Sequence, residues 1–447
     1  MRRLRFPHPL VLLVLFGLIA AAASYVVPSG EYQRRDDPVT GRQVVVSGTY
    51  HPVEAEPVSP FDAVVAIPRG AADAASVIFL VFLVGGAFAV VEKTGALTWA
   101  VNWLVHRLQN REAVVIPVAS LAFGAGGALM QMSEELLAFV PVMLLLTRRL
   151  GYNPLVGVAI SMGAATIAAA FSPIDPFMVG IAQKAAGVTL LSGSAFRMIF
   201  LLIAITFWIV SVMHYAKRHR VPPEAADLGD TGRLDTRMAI ILGLVLVTFA
   251  LFVIGVMQWE WGFDQLSGLF FVMGVLAGLV GGLRFNGTAD AFVDGFRSMA
   301  YAALLIGFAR ANYVILQDGR IIDTLVHAMF LPIADLPPTL SAIGMMFAHA
   351  ALHIPVPSSS GHAVLTMPIL SPVSDLIGLS RQVTVLAYQY GIGVIDAAQP
   401  TNGALMAMLA AMGVPYSEWL RFFAWRFVAL FGLGIIAVVI AIAIGLQ

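Results

Sequence analysis

The sequence has no cysteine, so it can form neither a disulfide nor a thiolate-held metal site, and cysteine usage says nothing about its redox compartment. Charge is scarce as well. Only 12% of the 447 residues are Asp, Glu, Lys or Arg, and 26 basic side chains balance 26 acidic ones. Without a basic excess there is no electrostatic face for nucleic acid, and no nucleic-acid partner is expected. Apolar residues, by contrast, are plentiful: 59% of the chain is hydrophobic and the mean hydropathy is +0.87. A water-soluble core of ordinary proportions cannot hide that much apolar surface. The expected fold class is therefore an all-α polytopic membrane protein, surrounded by lipid.

Two short polar breaks interrupt the long apolar runs. The first is Gln131-Met132-Ser133-Glu134-Glu135, and the second, 227 positions later (358 minus 131), is Ser358-Ser359-Ser360-Gly361-His362. Pro141 and Pro368, Gly151 and Gly378, Pro173 and Pro400, and Asp175 and Asn402 are related by the same spacing. This is the mark of an internal duplication. Residues 10–27 begin after Arg2, Arg3 and Arg5 and carry Ala21-Ala22-Ala23-Ser24, small residues that would suit signal cleavage. The duplication lays them on residues 237–254, another membrane helix, so they read as a retained span with a cytoplasmic N-terminus.

The order of spans follows from length, charge and proline. Residues 28–73 are polar and read as an extracytoplasmic connector of short strands and turns. Residues 74–91 return to the cytoplasm, where Glu92, Lys93, His106, Arg107, Arg111 and Glu112 mark an amphipathic interfacial segment. Residues 113–147, closed by Arg148-Arg149, rise about 52 Å at ~1.5 Å per residue, too little for two crossings of a ~30 Å core and a turn. They should form a re-entrant hairpin with Ser133-Glu134-Glu135 at its tip. Ser172-Pro173-Ile174-Asp175-Pro176 cannot continue a helix, because each proline lacks an N–H and disfavours helical geometry in the residue before it. The second half repeats the pattern after an extra helix at 266–283, which inverts its topology. Its span 302–316 is followed by a hairpin over 340–376 and a helix broken at Gln399-Pro400-Thr401-Asn402-Gly403. The expected organisation is scaffold helices at 1–112, transport elements at 113–216, a cytoplasmic linker at 217–237, a second scaffold at 238–335 and second transport elements at 336–447. Two inverted repeats, each with one re-entrant hairpin and one broken helix, are a transporter arrangement, since irregular backbone at membrane depth survives only where it is buried or lines a wet cavity.

Candidate site residues sit at these tips and breaks. Ser133 as a helix cap, with Glu134 and Glu135 complementing the helix dipole, is the structural reading of the first tip. Carboxylates at membrane depth are costly and usually functional, so both are also candidates to bind a cation or a substrate amino group. Ser358, Ser359, Ser360 and Gly361 offer hydroxyls and free N–H groups suited to a carboxylate. The breaks add Ser172 and Asp175, then Thr401 and Asn402, whose unwound carbonyls suit Na+. Asp396 is a candidate proton or cation carrier, or a partner for Arg310; Arg310 in turn either contacts substrate or pairs with an acid. His349 and His353 share a helix face, but without the glutamate and third ligand of a His-Glu-x-x-His site they read as polar packing rather than as an intramembrane metallohydrolase centre. His362 is placed to respond to pH. No cofactor is expected beyond Na+ or H+ as coupling ion.

The chain resembles the DcuC/YfcC-type carriers of the ion transporter superfamily. The resemblance rests on Met132-Ser133-Glu134-Glu135 with Phe139-Val140-Pro141, Asp175-Pro176-Phe177 with Gly180-Ile181-Ala182-Gln183, and Ser192-Gly193. In the second half it rests on Pro357-Ser358-Ser359-Ser360-Gly361, Leu365-Thr366-Met367-Pro368, Ser380-Arg381-Gln382, Pro400-Thr401-Asn402-Gly403 and Val414-Pro415-Tyr416. It implies secondary active transport of a small carboxylate or amino acid across the cytoplasmic (inner) membrane, cation-coupled or by exchange, in a homodimer with an elevator-like motion. Members often carry Asn where Asp175 stands, Gly-Asp-Gly where Gly391-Ile392-Gly393 stands, and Gln where His362 stands. Those departures imply a cation site moved toward Asp175 and Asp396 and favour H+ over Na+. A C4-dicarboxylate carrier is the alternative within this reading; Glu134, Glu135 and Arg310 together suit a zwitterion or cationic amino acid better than a dianion. A channel would have no need of two occluding hairpins.

Overall fold

A computed structural model describes residues 8–37, 42–107, 112–223, 234–259, 261–330, 332–333 and 336–447. Arg2, Arg3, Arg5, Arg111 and the middle of the 217–237 linker lie outside the described residues, and with them part of the charge argument for orientation.

Helix α1 (Pro9–Ala23) leads into strands β1 (Gly30–Glu31), β2 (Arg34–Asp37), β3 (Arg42–Val45) and β4 (His51–Pro52). They pair as two antiparallel ribbons, β1 with β4 and β2 with β3. The connector expected over 28–73 is thus stranded only in its first part. Residues 60–73 fold instead as α2 (Pro60–Asp73), because Ser59 caps by accepting from the Asp62 N–H and Pro60 occupies the first turn, where its missing N–H costs nothing. Next come α3 (Ala75–Lys93) and α4 (Ala96–Arg107). The first helix–turn–helix is α5 (Val115–Met130), a 3₁₀ stretch Glu134–Phe139, and α6 (Val140–Arg149). A broken helix follows: α7 (Pro154–Val158), a π-type stretch Ala159–Gly163, α8 (Ala164–Ala170), the break, a second π-type stretch Pro176–Gly180, and α9 (Ile181–Ala186). Helix α10 (Ser194–Arg218) closes the first half.

The second half opens with α11 (Thr236–Gln258), α12 (Phe263–Val280), α13 (Arg284–Asp318) and α14 (Ile322–Phe330). It then repeats the series: α15 (Pro338–His353) and α16 (Ser359–Leu376) flank a turn, α17 (Arg381–Asp396) and α18 (Gly403–Ala411) flank a break, and α19 (Tyr416–Ala443) closes. Among the described residues, α3, α10, α12, α13 and α19 are long and apolar enough to cross a membrane. The chain is a helical, multi-span membrane protein.

Helix α13 starts well before the span expected at 302, and the polar residues after Arg284 are helical too. The reason is tertiary. Gly295 of α13 lies against α3 so closely that a Cβ there would meet the Gly85 carbonyl oxygen at 2.5 Å, and this contact holds the first half of α13 in place. Helices α5 and α8 approach as closely at Gly127, where a Cβ would meet the Ala165 carbonyl oxygen at 2.1 Å. At the centre, residues 382–394 of α17 are buried on every side, as befits a helix apolar all round. Among its polar side chains, Gln389 Nε2 donates to the Ser172 carbonyl at 2.7 Å, and Gln389 Oε1 accepts from Arg197 Nε at 2.8 Å.

Candidate functional site

The two polar tips meet. Helix α5 stops where Gln131 turns left-handed, with φ of 51°, which points the chain into the tip. There the Ser133 backbone N–H donates to Glu135 Oε2 at 3.1 Å. The Ser133 hydroxyl makes no capping bond, so the capping role expected of it falls to the folded-back Glu135 carboxylate. At the other tip Ser358 caps α16, its Oγ accepting from the Gly361 N–H at 3.3 Å, which puts Ser359 and Ser360 in the first turn. Gln131 Nε2 then donates to Ser359 Oγ at 2.6 Å, joining one tip to the other across 228 positions of sequence.

Between the tips lies a cavity of about 480 Å³. Of the residues singled out in the sequence, Ser133, Glu134, Glu135, Arg310, Ser358, Ser359, Ser360, Asp396 and Asn402 line it. Gly361 lines a second cavity of about 430 Å³ that also touches Ser358, beside Arg34, Arg320 and Asp323, so the second tip is a partition between two spaces. Ser172, Asp175 and Thr401 are not among the lining residues of the first cavity; they hold the breaks together. Ser172 Oγ donates to the Ala128 carbonyl and Thr401 Oγ1 to the Ile354 carbonyl, both at 2.5 Å. Each break is thereby tied to the end of the preceding hairpin arm. Asp175, fully buried, accepts from the Phe177 and Met178 N–H groups through Oδ1 at 2.8 and 3.1 Å, and its Oδ2 has no partner among the described residues. Its counterpart Asn402 accepts from the Leu405 N–H at 3.0 Å and donates to the Asp396 carbonyl at 3.1 Å.

The cavity's charge is uneven. Arg310 is ion-paired with Asp73 of α2 and its guanidinium lies 4.8 Å from the centre of the Tyr313 ring. It does not pair with Asp396, which instead faces His353 Nε2 at 3.4 Å and accepts from Gln399 Nε2 at 2.7 Å. Three carboxylates, Glu134, Glu135 and Asp396, therefore face one arginine whose charge is already engaged. Reading the sequence missed Gln131, Phe177, Phe263 and His353 as wall residues. Gln131 belonged to the first polar break and His353 to the spaced histidine pair, so both carried a signal; Phe263 carried none. Asp73 lies 237 positions from Arg310, beyond any local pattern.

The model of the DcuC family, described as C4-dicarboxylate anaerobic carrier, matches residues 6–443. The chain belongs to the DcuC family. A protein of Escherichia coli (strain K12) named "Putative basic amino acid antiporter YfcC" is 30% identical over 474 residues, covering 94% of this chain and 93% of that protein. An uncharacterized protein of Haemophilus influenzae is 28% identical over 401 residues, covering 86% of this chain and 79% of its own. Among solved structures, the Alcanivorax borkumensis YdaH transporter aligns over 98% of this chain and 99% of its own at 16% identity and a TM-score of 0.43. Neisseria gonorrhoeae MtrF aligns over 97% and 95% at 17% identity and a TM-score of 0.41. This DcuC-family chain is a membrane transporter and not an enzyme.

Proposed function

We propose that this transporter is a secondary active carrier that moves a basic amino acid through the cavity between the two tips, by exchange or coupled to Na+ or H+. The observation that carries the reading is the cavity's charge, three carboxylates against one arginine engaged by Asp73. Unlike charges a few ångströms apart attract by several kcal/mol where water is sparse, on the order of 4 kcal/mol at 4 Å, and like charges repel as much. A guanidinium or ammonium would sit among Glu134, Glu135 and Asp396, and the carboxylate end at Ser358, Ser359 and Ser360, on the positive end of α16. The name of the Escherichia coli relative supports the same class of solute. The wider reading places two inverted repeats in the cytoplasmic membrane, with the N-terminus in the cytoplasm, in a homodimer working by elevator-type alternating access.

A C4-dicarboxylate is the second reading, favoured by the family description and by the serine-lined helix end. Counterflow separates the two. Proteoliposomes preloaded with excess arginine should accumulate external radiolabelled arginine, while those preloaded with succinate should not accumulate labelled succinate. Succinate counterflow without arginine counterflow overturns the proposal.

A further inference from the structure

Behind the second tip, with His353 reaching the cavity wall, three histidines are packed together. His349, His353 and His362 are no more than 1% exposed. His349 and His353 come from α15 and His362 from the first turns of α16. His349 Nδ1 and His362 Nε2 are 2.9 Å apart, and the rings of His353 and His362 have centroids 5.6 Å apart. The series reaches the cavity at Asp396 of α17, whose Oδ1 lies 3.4 Å from His353 Nε2. Three ring nitrogens, His349 Nε2, His353 Nδ1 and His362 Nδ1, have no hydrogen-bond partner among the described residues. Packing alone leaves that unexplained, because an unpaired buried polar atom is costly.

We propose that Asp396, His353, His362 and His349 form a proton site, and that the proton held there is the ion coupled to solute movement. The proposal rests on the carrier reading above and adds the ion and the residues that hold it. A neutral imidazole carries a proton on one nitrogen and a lone pair on the other. With the His353 Nε2–H turned toward Asp396, 3.4 Å away, its Nδ1 is an unfilled lone pair. With His349 donating through Nδ1–H to His362 Nε2, the His362 Nδ1–H is an unfilled donor. One arrangement of tautomers thus leaves a donor and an acceptor on neighbouring rings, with the chain open at the cavity through Asp396. A proton entering at Asp396 neutralises the carboxylate or makes a histidine cationic, and no covalent bond other than N–H or O–H forms or breaks. Asp396 already takes hydrogen bonds from Gln399 and faces His353, which is the environment of a proton carrier; Na+ would need oxygen ligands in those places.

The surrounding elements leave Asp396 as the charge next to the cluster. Tyr388 of α17 packs edge-on against His349 and tilted against His362, and its hydroxyl donates to the Ser359 carbonyl at 2.6 Å. Phe330 of α14 covers His349, while Asp323 and His327 of that helix bind Arg34 and Tyr32. On α17, Arg381 pairs with Asp375. On α19, Glu418 accepts from Asn153 and Arg426 donates to Ser211, and Arg421 lines another cavity with Glu418. Lys184 is the charged residue of α9, and Asp175 caps the stretch before it. Glu134 and Glu135 face the site from across the cavity and favour positive charge there. Since the four groups span α15, α16 and α17, gain of a proton changes the bonds that join both arms of the second hairpin to the central helix.

The test has two arms. In protein labelled with 15N-histidine in nanodiscs, the His353, His362 and His349 signals should titrate together, and Asp396→Asn should move all three midpoints while His219 stays put. Independent titration, or midpoints indifferent to Asp396→Asn, overturns the proton site whether or not arginine is carried. In sodium-free proteoliposomes, an imposed pH gradient should drive several-fold accumulation of labelled arginine. His362→Gln, and His349→Gln as a second variant, should lose that accumulation and keep arginine–arginine exchange. Accumulation unchanged in both variants overturns the proposal, as does exchange that ignores the gradient in the unmodified protein. Absence of arginine exchange counts against the carrier reading, and the titration still decides the proton site.

Discussion

Glu134 and Asp175 are both acids set at breaks in apolar helical sequence, yet the structure gives them different surroundings. Glu134 opens onto the cavity, whereas Asp175 spends one carboxylate oxygen on two backbone N–H groups of its own break. Their substitutions should differ accordingly. Glu134→Gln removes a cavity charge without changing shape, and arginine binding by calorimetry should weaken at least about ten-fold, or ~1.4 kcal/mol. Asp175→Asn keeps the capping oxygen, as Asn402 does in the second break, and should bind arginine like the unmodified protein; Asp175→Ala should cost roughly 1 kcal/mol of stability through loss of the cap. Equal loss of binding in Glu134→Gln and Asp175→Asn would place Asp175 back in the site.

At the scale of elements, breaks and tips were legible because proline and clustered polar residues are strong local signals. Pro173 and Pro176 mark the first break, and Ser358 caps the helix that the hydroxyl run announced. Helix 60–73 carries a local start signal in Ser59 and Pro60 that the reading of 28–73 as a connector passed over, while Pro68 and Gly70 mask the rest, which packs against α13. The close approach of α5 and α8 was invisible. It makes a sharp prediction: Gly127→Val drives side-chain atoms into the Ala165 carbonyl, and overpacking of this kind costs about 1–3 kcal/mol. The detergent-solubilised variant should show a lower Tm, with the change confined to stability if arginine binding by the folded fraction is unchanged.

For the molecule as a whole, the strand segment is clamped to the second half. Asp323 accepts from the Tyr32 backbone N–H and from Arg34, each at 2.8 Å, and the Tyr32 hydroxyl bonds His327 Nδ1 at 3.0 Å. Burial, with Asp323 close by, pushes the Tyr32 phenol from its ordinary 10 up to about 12. A raised phenol stabilises the fold at pH values below its ordinary range, and the contribution is lost as pH rises from about 10 to 12. Limited proteolysis should therefore cut the strand segment faster across that alkaline window, and Asp323→Asn should open it at neutral pH. A segment no more sensitive in Asp323→Asn than in the unmodified protein would show that the clamp lies elsewhere.

The sequence by itself determined the membrane class, the repeated order of helix–turn–helix and broken helix, and most of the residues that line the cavity. It could do so because apolar run length, proline and polar breaks act locally, and because the same signals recur in both halves of the chain. The tertiary structure decided which of those residues share a space. It moved Ser172, Asp175 and Thr401 from the wall into the framework, gave Arg310 to Asp73 rather than to Asp396, and set His353 beside Asp396. Apart from the Asp175 cap, which is local, those pairings join residues dozens to hundreds of positions apart. No local rule of helix, turn or charge reaches that far, so they exist only once the helices have packed.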